Sequence, residues 1–261
     1  MTDEMKVAVF QPYLEKFETE EMRLYCTDMV QRIPDYIFDM PSSTSGKFHN
    51  KTQCQPHGQI YHILMFAEIL NYILDLKYSK EKFKSPTQRD AMRCVPIFHD
   101  ALKLGLNGSQ YTVFDHPMLA GQWVRETHVE HDIDDKIKET IARMCERHSG
   151  EFTTSKKSKI ALPEPENDME WLIHVCDILS SRSNIDMEIP LYLSDIFEDA
   201  PIEFDPEYTM PFGKYAGKKL IDIYNSRPDY VEWMENNINK IDVLNAIKAM
   251  KAYVKNTKED S

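Results

Sequence analysis

The sequence predicts an all-α protein, and three observations predict it. Apolar residues recur at helical spacing through most of the first 185 positions. The run over residues 60–70 is apolar almost all round, as in a buried helix. Pro86, Pro117 and Gly150 stand where helices open or close. With 261 residues the chain can hold one substantial core, or one main domain with an appendage.

Residues 3–33 read as a helix or a helix pair, with Tyr13, Leu14 and Phe17, then Met22, Leu24, Tyr25, Met29 and Val30, near helical spacing. The pattern stops between 33 and 58, where Pro34, Pro41, Ser42, Ser43, Ser45, Gly46 and Pro56 make an irregular loop that carries Lys47 and His49. A loop of this length in a compact domain is either functional or disordered. The buried helix follows over 60–76, and Pro86 opens another over about 87–104 that carries His99-Asp100 near its C-terminal end. Asn107-Gly108 marks a turn, and His116-Pro117 begins a helix to residue 124. A helix over 134–148 has Ile137, Ile141, Met144 and Cys145 as its apolar positions and is closed by Gly150. In the helix over 171–181, His174 and Asp177 lie one turn apart. Residues 186–209 are acidic and proline-containing, a strap between a helical domain over 1–185 and a small α(+β) module over 210–261. A last amphipathic helix is expected over 242–254.

The charge and composition narrow the function classes. A formal net charge of −12 disfavours a sequence-independent grip on a nucleic-acid backbone, which relies on clustered Lys and Arg. A small anionic substrate remains compatible if one pocket supplies positive charge. No apolar run reaches the roughly 20 residues that a membrane span needs. The first residues lack the basic-then-apolar layout of a secretory signal, so a cytoplasmic location is expected. Cys26, Cys54, Cys94, Cys145 and Cys176 form no CxxC pair, and four of them sit in apolar helical context; reduced thiols are expected.

His62, His99, Asp100, His116, His148 and Asp177 each lie inside or beside an apolar helical run. Four imidazoles and two carboxylates are enough to ligate two divalent transition ions that share one carboxylate. Mixed nitrogen and oxygen donors without thiolate suit Mn, Fe, Co, Ni or Zn better than Ca or Mg. The expected partition places His62, His99, Asp100 and Asp177 on one ion, with Asp100 bridging to a second held by His116 and His148. Such an assembly acidifies a water enough for attack at neutral pH. Taken singly, a histidine beside apolar residues is more often a satisfied core or surface residue than a ligand.

Taken in order, these residues resemble the extended pattern of the HD superfamily of metal-dependent phosphohydrolases, over roughly residues 57–185. His62-Ile63-Leu64-Met65-Phe66-Ala67 is similar to that family's first-histidine helix, and Ile97-Phe98-His99-Asp100-Ala101-Leu102-Lys103 to its signature, with Leu102 where glycine is usual. Asp115-His116-Pro117-Met118, the stretch ending Glu146-Arg147-His148, and Val175-Cys176-Asp177 are similar to its third, fourth and closing ligand segments, with Cys176 in place of the commoner alanine. The resemblance implies an all-helical HD-domain core in which separate helices bring the ligands to one cleft. The loop over 41–49 together with 58–62 is similar to a subgroup found in bacteria and their phages, which implies a bacterial cytoplasm, or a host's for a phage protein.

Lys103 stands one turn after Asp100, where it can act with Asp100 in catalysis as a fixed cation or serve as a helix-end lysine favoured by the macrodipole. Arg182 can reach a phosphate or make a structural ion pair. Ser43, Ser45, Lys47 and His49 offer donors for a phosphate or a sugar hydroxyl, although a plain linker has the same composition. His57, His128, His131 and His174 are left outside the ligand set. The stretch from Pro211 to Leu220, with Tyr230 and Trp233, resembles a short module appended to exonuclease-like and phage proteins; a packing unit is favoured over nucleic-acid contact there. The expected function is a metal-dependent 5'-nucleotidase on a small anionic nucleotide. The rivals are an HD-type di-iron oxygenase, a phosphodiesterase or nuclease, and a non-catalytic nucleic-acid- or protein-binding module.

Overall fold

The computed structural model describes residues 1–43, 49–50, 52–156, 158–185, 193–197 and 205–238, and positions 243, 246–247, 249–251 and 253–254. Their regular structure is helical, with no strand among the described residues. The chain divides into two units, Met1–Ile189 and Pro190–Ser261. No described helix is long and apolar enough to cross a membrane.

In the first unit α1 (Asp3–Leu14) and α2 (Glu20–Gln31) pair with each other, and the short α3 (Tyr36–Asp39) follows. The central helix is α4 (Gly58–Asp75), whose Ile60, Ile63, Phe66, Leu70 and Leu74 are fully buried. Each such side chain contributes roughly 1.5–3 kcal/mol of burial. α4 starts at a glycine for a steric reason: a Cβ on Gly58 would lie 2.2 Å from the Gln53 carbonyl oxygen. After the short α5 (Lys77–Lys82), Ser85 caps α6 (Pro86–Phe98) by accepting from the Gln88 amide. α7 (His116–Glu126) packs on α8 (Asp135–Arg147), and Gly121 permits the close approach, since a Cβ there would sit 2.5 Å from Glu146 Cγ. Asn167 caps α9 (Asp168–Ser180), which packs on α4, α6 and α8.

One boundary differs from the sequence expectation in a way that matters. The helix opened by Pro86 does not run to residue 104 but ends at Phe98, so His99 and Asp100 sit in the turns that follow. Beyond His99 the amides bond three residues back, Ala101 to Phe98 and Lys103 to Asp100, which tightens the chain. Pro96, lacking an amide proton, already removes one helical bond in the last turn.

In the second unit α10 (Leu193–Ile196) precedes α11 (Leu220–Ser226) and α12 (Pro228–Asn237). Met210, Leu220, Ile223, Val231, Met234, Val243, Ile247 and Met250 form its core. The last helix expected over 242–254 is helical at each of its described positions. Among the described residues the β content reduces to one isolated antiparallel bridge, Thr209 with Lys219, closed over the turn that Gly213 and Gly217 make at φ +82° and +77°. Most of the strap over 186–209 lies outside the described residues.

Candidate metal centre

Three of the four candidate histidines stand at a helix end and use the same local device. His99 Nδ1 lies 2.8 Å from the Pro96 carbonyl, His148 Nδ1 2.7 Å from the Cys145 carbonyl and His116 Nδ1 2.7 Å from the Val113 carbonyl. A carbonyl only accepts, so each Nδ1 carries the proton and each Nε2 keeps its lone pair. His62, in the middle of α4, reaches the same state by another route. The Ser180 hydroxyl donates to the Asp177 carbonyl at 2.7 Å and so accepts from His62 Nδ1 at 3.1 Å. Fixing the tautomer through the other ring nitrogen is how proteins orient metal-binding imidazoles.

The Nε2 atoms converge on the two carboxylates. His62 Nε2 is 3.1 Å from Asp177 Oδ1 and 3.3 Å from His99 Nε2, and His99 Nε2 is 3.3 Å from Asp100 Oδ2. On the other side His116 Nε2 is 3.0 Å from Asp100 Oδ1, and the His148 ring lies 4.9 Å from that of His99 and 5.3 Å from that of His116. Ligand atoms of His62, His99 and Asp100 form one group able to hold a metal ion, and those of Asp100, His116 and His148 a second. All six candidates are thus brought together, and Asp100 belongs to both groups.

The two oxygens of Asp100 are used differently. Oδ2 accepts from Gln59 Nε2 at 2.9 Å and from Lys103 Nζ at 2.7 Å. Oδ1 is buried and has no hydrogen-bond partner among the described residues. An orphaned carboxylate oxygen facing lone pairs on His116 and His148 is an arrangement that a cation satisfies and a hydrogen-bond network does not. The donor set therefore fits a metal ion.

Electrostatics keep both carboxylates ionised and two of the rings neutral. Burial would raise Asp100, but Lys103, His99 and His116 hold it well below the usual carboxylate range. Asp177 is likewise depressed against its burial by His62 and His99. Burial pushes His148 down to about 3 and also lowers His62, so both stay neutral. Burial acts the same way on His99, yet the Asp100 and Asp177 carboxylates reverse it and raise this one ring.

A cavity of about 610 Å³ opens onto the cluster. Lys103 and Arg182 line it, as do Ser43 and His49, the latter with its Nδ1 2.8 Å from Gln53 Oε1 and its ring pushed down to about 4 by burial. Ser45 and Lys47 lie outside the described residues. Lys103 is buried and donates to Gln59 Oε1 at 2.8 Å as well as to Asp100, which leaves one of its three protons for the cavity.

Sequence reading missed three contributors. Gln59 and Ser180 each stand three residues from a ligand on the same helix face, and that spacing was the available signal. His174 lines the cavity, and its Nδ1 is 2.8 Å from the His148 carbonyl, so it braces a ligand. Its ring lies flat against Gly150, which has φ +59°; a Cβ there would come within 2.1 Å of the imidazole. Gly150→Ala is expected to cost about 2–3 kcal/mol in stability and to weaken metal retention, by denaturant titration and elemental analysis of the purified variant. Unchanged values on both counts would show that the His174 brace is dispensable.

His128 and His131 sit on the surface, paired with Asp132 and Asp28. His57 holds the Phe38 carbonyl at 2.6 Å and takes φ +62° to start α4. The five cysteines are free thiols.

No curated protein and no solved structure matches the chain. Residues 210–239 do match a family model, that of the exodeoxyribonuclease X-like C-terminal region, and the second unit is to that extent similar to the C-terminal region of those proteins.

Proposed function

We propose that the first unit is an HD-type metal-dependent phosphohydrolase that removes phosphate from a nucleoside monophosphate. The observation that carries this reading is Asp100, whose Oδ1 and Oδ2 face two different ligand groups, as a carboxylate shared by two divalent ions must. When bound, such ions supply Lewis acidity and lower the pKa of water. Lys103 holds Asp100 ionised and turns its remaining proton toward the non-bridging oxygens of the phosphoryl group. Arg182, which lines the same cavity, adds a second cation for that group. Four imidazoles, three of them buried, have their Nδ1 atoms committed to fixed partners, which holds the geometry of their Nε2 atoms through the reaction.

The lining of the cavity also includes apolar residues. Phe152 is 56% exposed there, its ring 6.2 Å from that of His174, and Ile178 lines the cavity too. We place the base against Phe152, with the phosphate toward Lys103. A cavity of this size accommodates a ligand as large as a mononucleotide.

The test is release of inorganic phosphate from a panel of nucleoside monophosphates with Mn or Co, with O2 consumption and cleavage of single-stranded DNA followed in parallel. Phosphate release without O2 uptake is expected. Phe152→Ala should raise KM for the preferred nucleotide by about tenfold and leave KM for ribose 5-phosphate unchanged, since a lost aromatic contact is worth about 1.5 kcal/mol. O2-dependent turnover without phosphate release would instead assign the di-iron oxygenase. The match at 210–239 makes phosphodiester cleavage of DNA the second reading, and fragments on a gel would favour it.

A further inference from the structure

Aromatic rings and lysines gather at the surface of the second unit, where Tyr215 and Tyr230 pack half-buried against its core and Trp233 stands outside it. Tyr215 meets Tyr230 edge-on with centroids 4.8 Å apart, and Tyr230 stacks on Trp233 at 5.4 Å with 24° between the ring planes. Trp233 is 50% exposed and is not among the core residues around Met210, Leu220 and Val231. Phe212 is exposed as well. The ladder is joined to a turn, because a Cβ on Gly213 would lie 3.9 Å from the Tyr230 hydroxyl. On that turn Lys214 Nζ sits 5.4 Å above the Tyr215 ring, and Lys218 is exposed.

Charge singles out the same place. The chain carries a formal −12, yet residues 208–221 hold Lys214, Lys218 and Lys219 and no acidic residue. Of the three, Lys219 alone is tied to a carboxylate among the described residues, that of Glu207 at 2.6 Å. An indole with one face stacked and half its surface in water offers a flat apolar platform. Cations on the adjoining turn, spaced along the backbone, suit a repeating anion. A ligand with both features has flat rings strung on a phosphate backbone.

We propose that Trp233, Tyr230 and Tyr215 with Lys214 and Lys218 form a binding surface for single-stranded nucleic acid. The bases stack on Trp233 and the phosphates run along the Gly213–Gly217 turn. This site is separate from the metal centre in its residues and does not depend on the reaction assigned there. It differs from the packing-unit expectation because Trp233, unlike Tyr215 and Tyr230, does not pack against the core of the unit among its described residues.

The experiment uses the full chain and a fluorescein-labelled, phosphorothioate-linked oligothymidylate of about 15 nucleotides, a length within the range of known single-strand sites. Anisotropy is read with excess nucleoside monophosphate present to fill the cavity over the histidine–aspartate cluster. Saturable binding at 50 mM salt is expected, weakening roughly tenfold by 200 mM as two or three lysine–phosphate contacts require. Trp233→Ala should weaken binding about tenfold and Trp233→Phe little, because stacking needs a ring. The pair Lys214→Glu and Lys218→Glu should also weaken binding and flatten the salt dependence. Thermal unfolding matching the parent shows that each variant is folded. Absence of saturable binding at 50 mM salt, or an affinity indifferent to both sets of substitutions, overturns the proposal. Loss of self-association in Trp233→Ala with oligonucleotide affinity unchanged also overturns it, and assigns the surface to a protein contact.

Discussion

Asp100→Asn is expected to lower phosphate release by at least about a thousandfold, the scale of losing a principal electrostatic contact in a closed site. The substitution keeps the shape of the side chain and changes its charge. In the parent, Oδ2 takes two hydrogen bonds, from Gln59 and Lys103, and Oδ1 is left to the His116 and His148 side. An amide cannot serve both sides: one terminus becomes an NH2 group that faces either the Lys103 ammonium or the lone pair of His116 Nε2. Elemental analysis should show fewer ions per chain than the parent, and circular dichroism an intact helical fold. A variant that keeps parental turnover with parental metal content would remove Asp100 from the centre of the chemistry, and the nucleotidase reading with it.

Half of the candidate cluster was legible because three of its members fall where helical periodicity is interrupted by a residue with a lone pair. His99, His116 and His148 end or begin helices, and the sequence marks those ends with Pro96, Pro117 and Gly150. Convergence was not legible from spacing alone, since His62 and Asp177 lie 115 positions apart and meet only through the packing of α4 on α9. The helix end after Phe98 was missed because the apolar pattern continues through Ala101 and Leu102, while the backbone has already tightened around His99. Polar residues that serve a ligand from behind are harder to see. Gln59 looks like an ordinary first-turn residue, and only its complete burial shows that its amide links Lys103 to Asp100. Ser180 reads as the polar end of a helix, and its bond to His62 crosses 118 positions. In the second unit one amphipathic helix, over 242–254, was readable, but whether Trp233 belonged to the core was a matter of exposure.

Arg93→Ala is expected to destabilise the protein by about 3–5 kcal/mol, the usual result of breaking a buried ion pair from one side. Arg93 is 2% exposed and its guanidinium bridges Asp90 at 2.8 Å, Glu18 at 2.8 Å and Asn71 at 3.0 Å. Asp90 is fully buried and also accepts from the amides of Glu18 and Thr19 and the Thr19 hydroxyl, so it fastens the start of α2 to α6. That use of the hydroxyl explains why Thr19 precedes α2 without capping it. Removing the guanidinium leaves Asp90 inside the protein with its amide donors but without its cation. Glu18 is held at about 2, mainly by Arg89 and against its partial burial, with Arg93 assisting. Its carboxyl is depressed in the folded state, so this contribution is complete above the ordinary carboxylate value of 4.5 and fades as the pH falls from there toward 2. The variant should therefore lose stability at pH 7 in a urea titration, and its acid unfolding should begin at higher pH than the parent's. Arg93 precedes His99 by six residues on the segment that leads into the metal centre. Phosphate release per folded molecule should nevertheless stay near the parental value, because His99 is set by the Pro96 carbonyl and not by the ion cluster. A loss below about 1 kcal/mol would mean that solvent reaches Asp90. A normal stability with collapsed turnover would make the cluster part of the site that α6 carries.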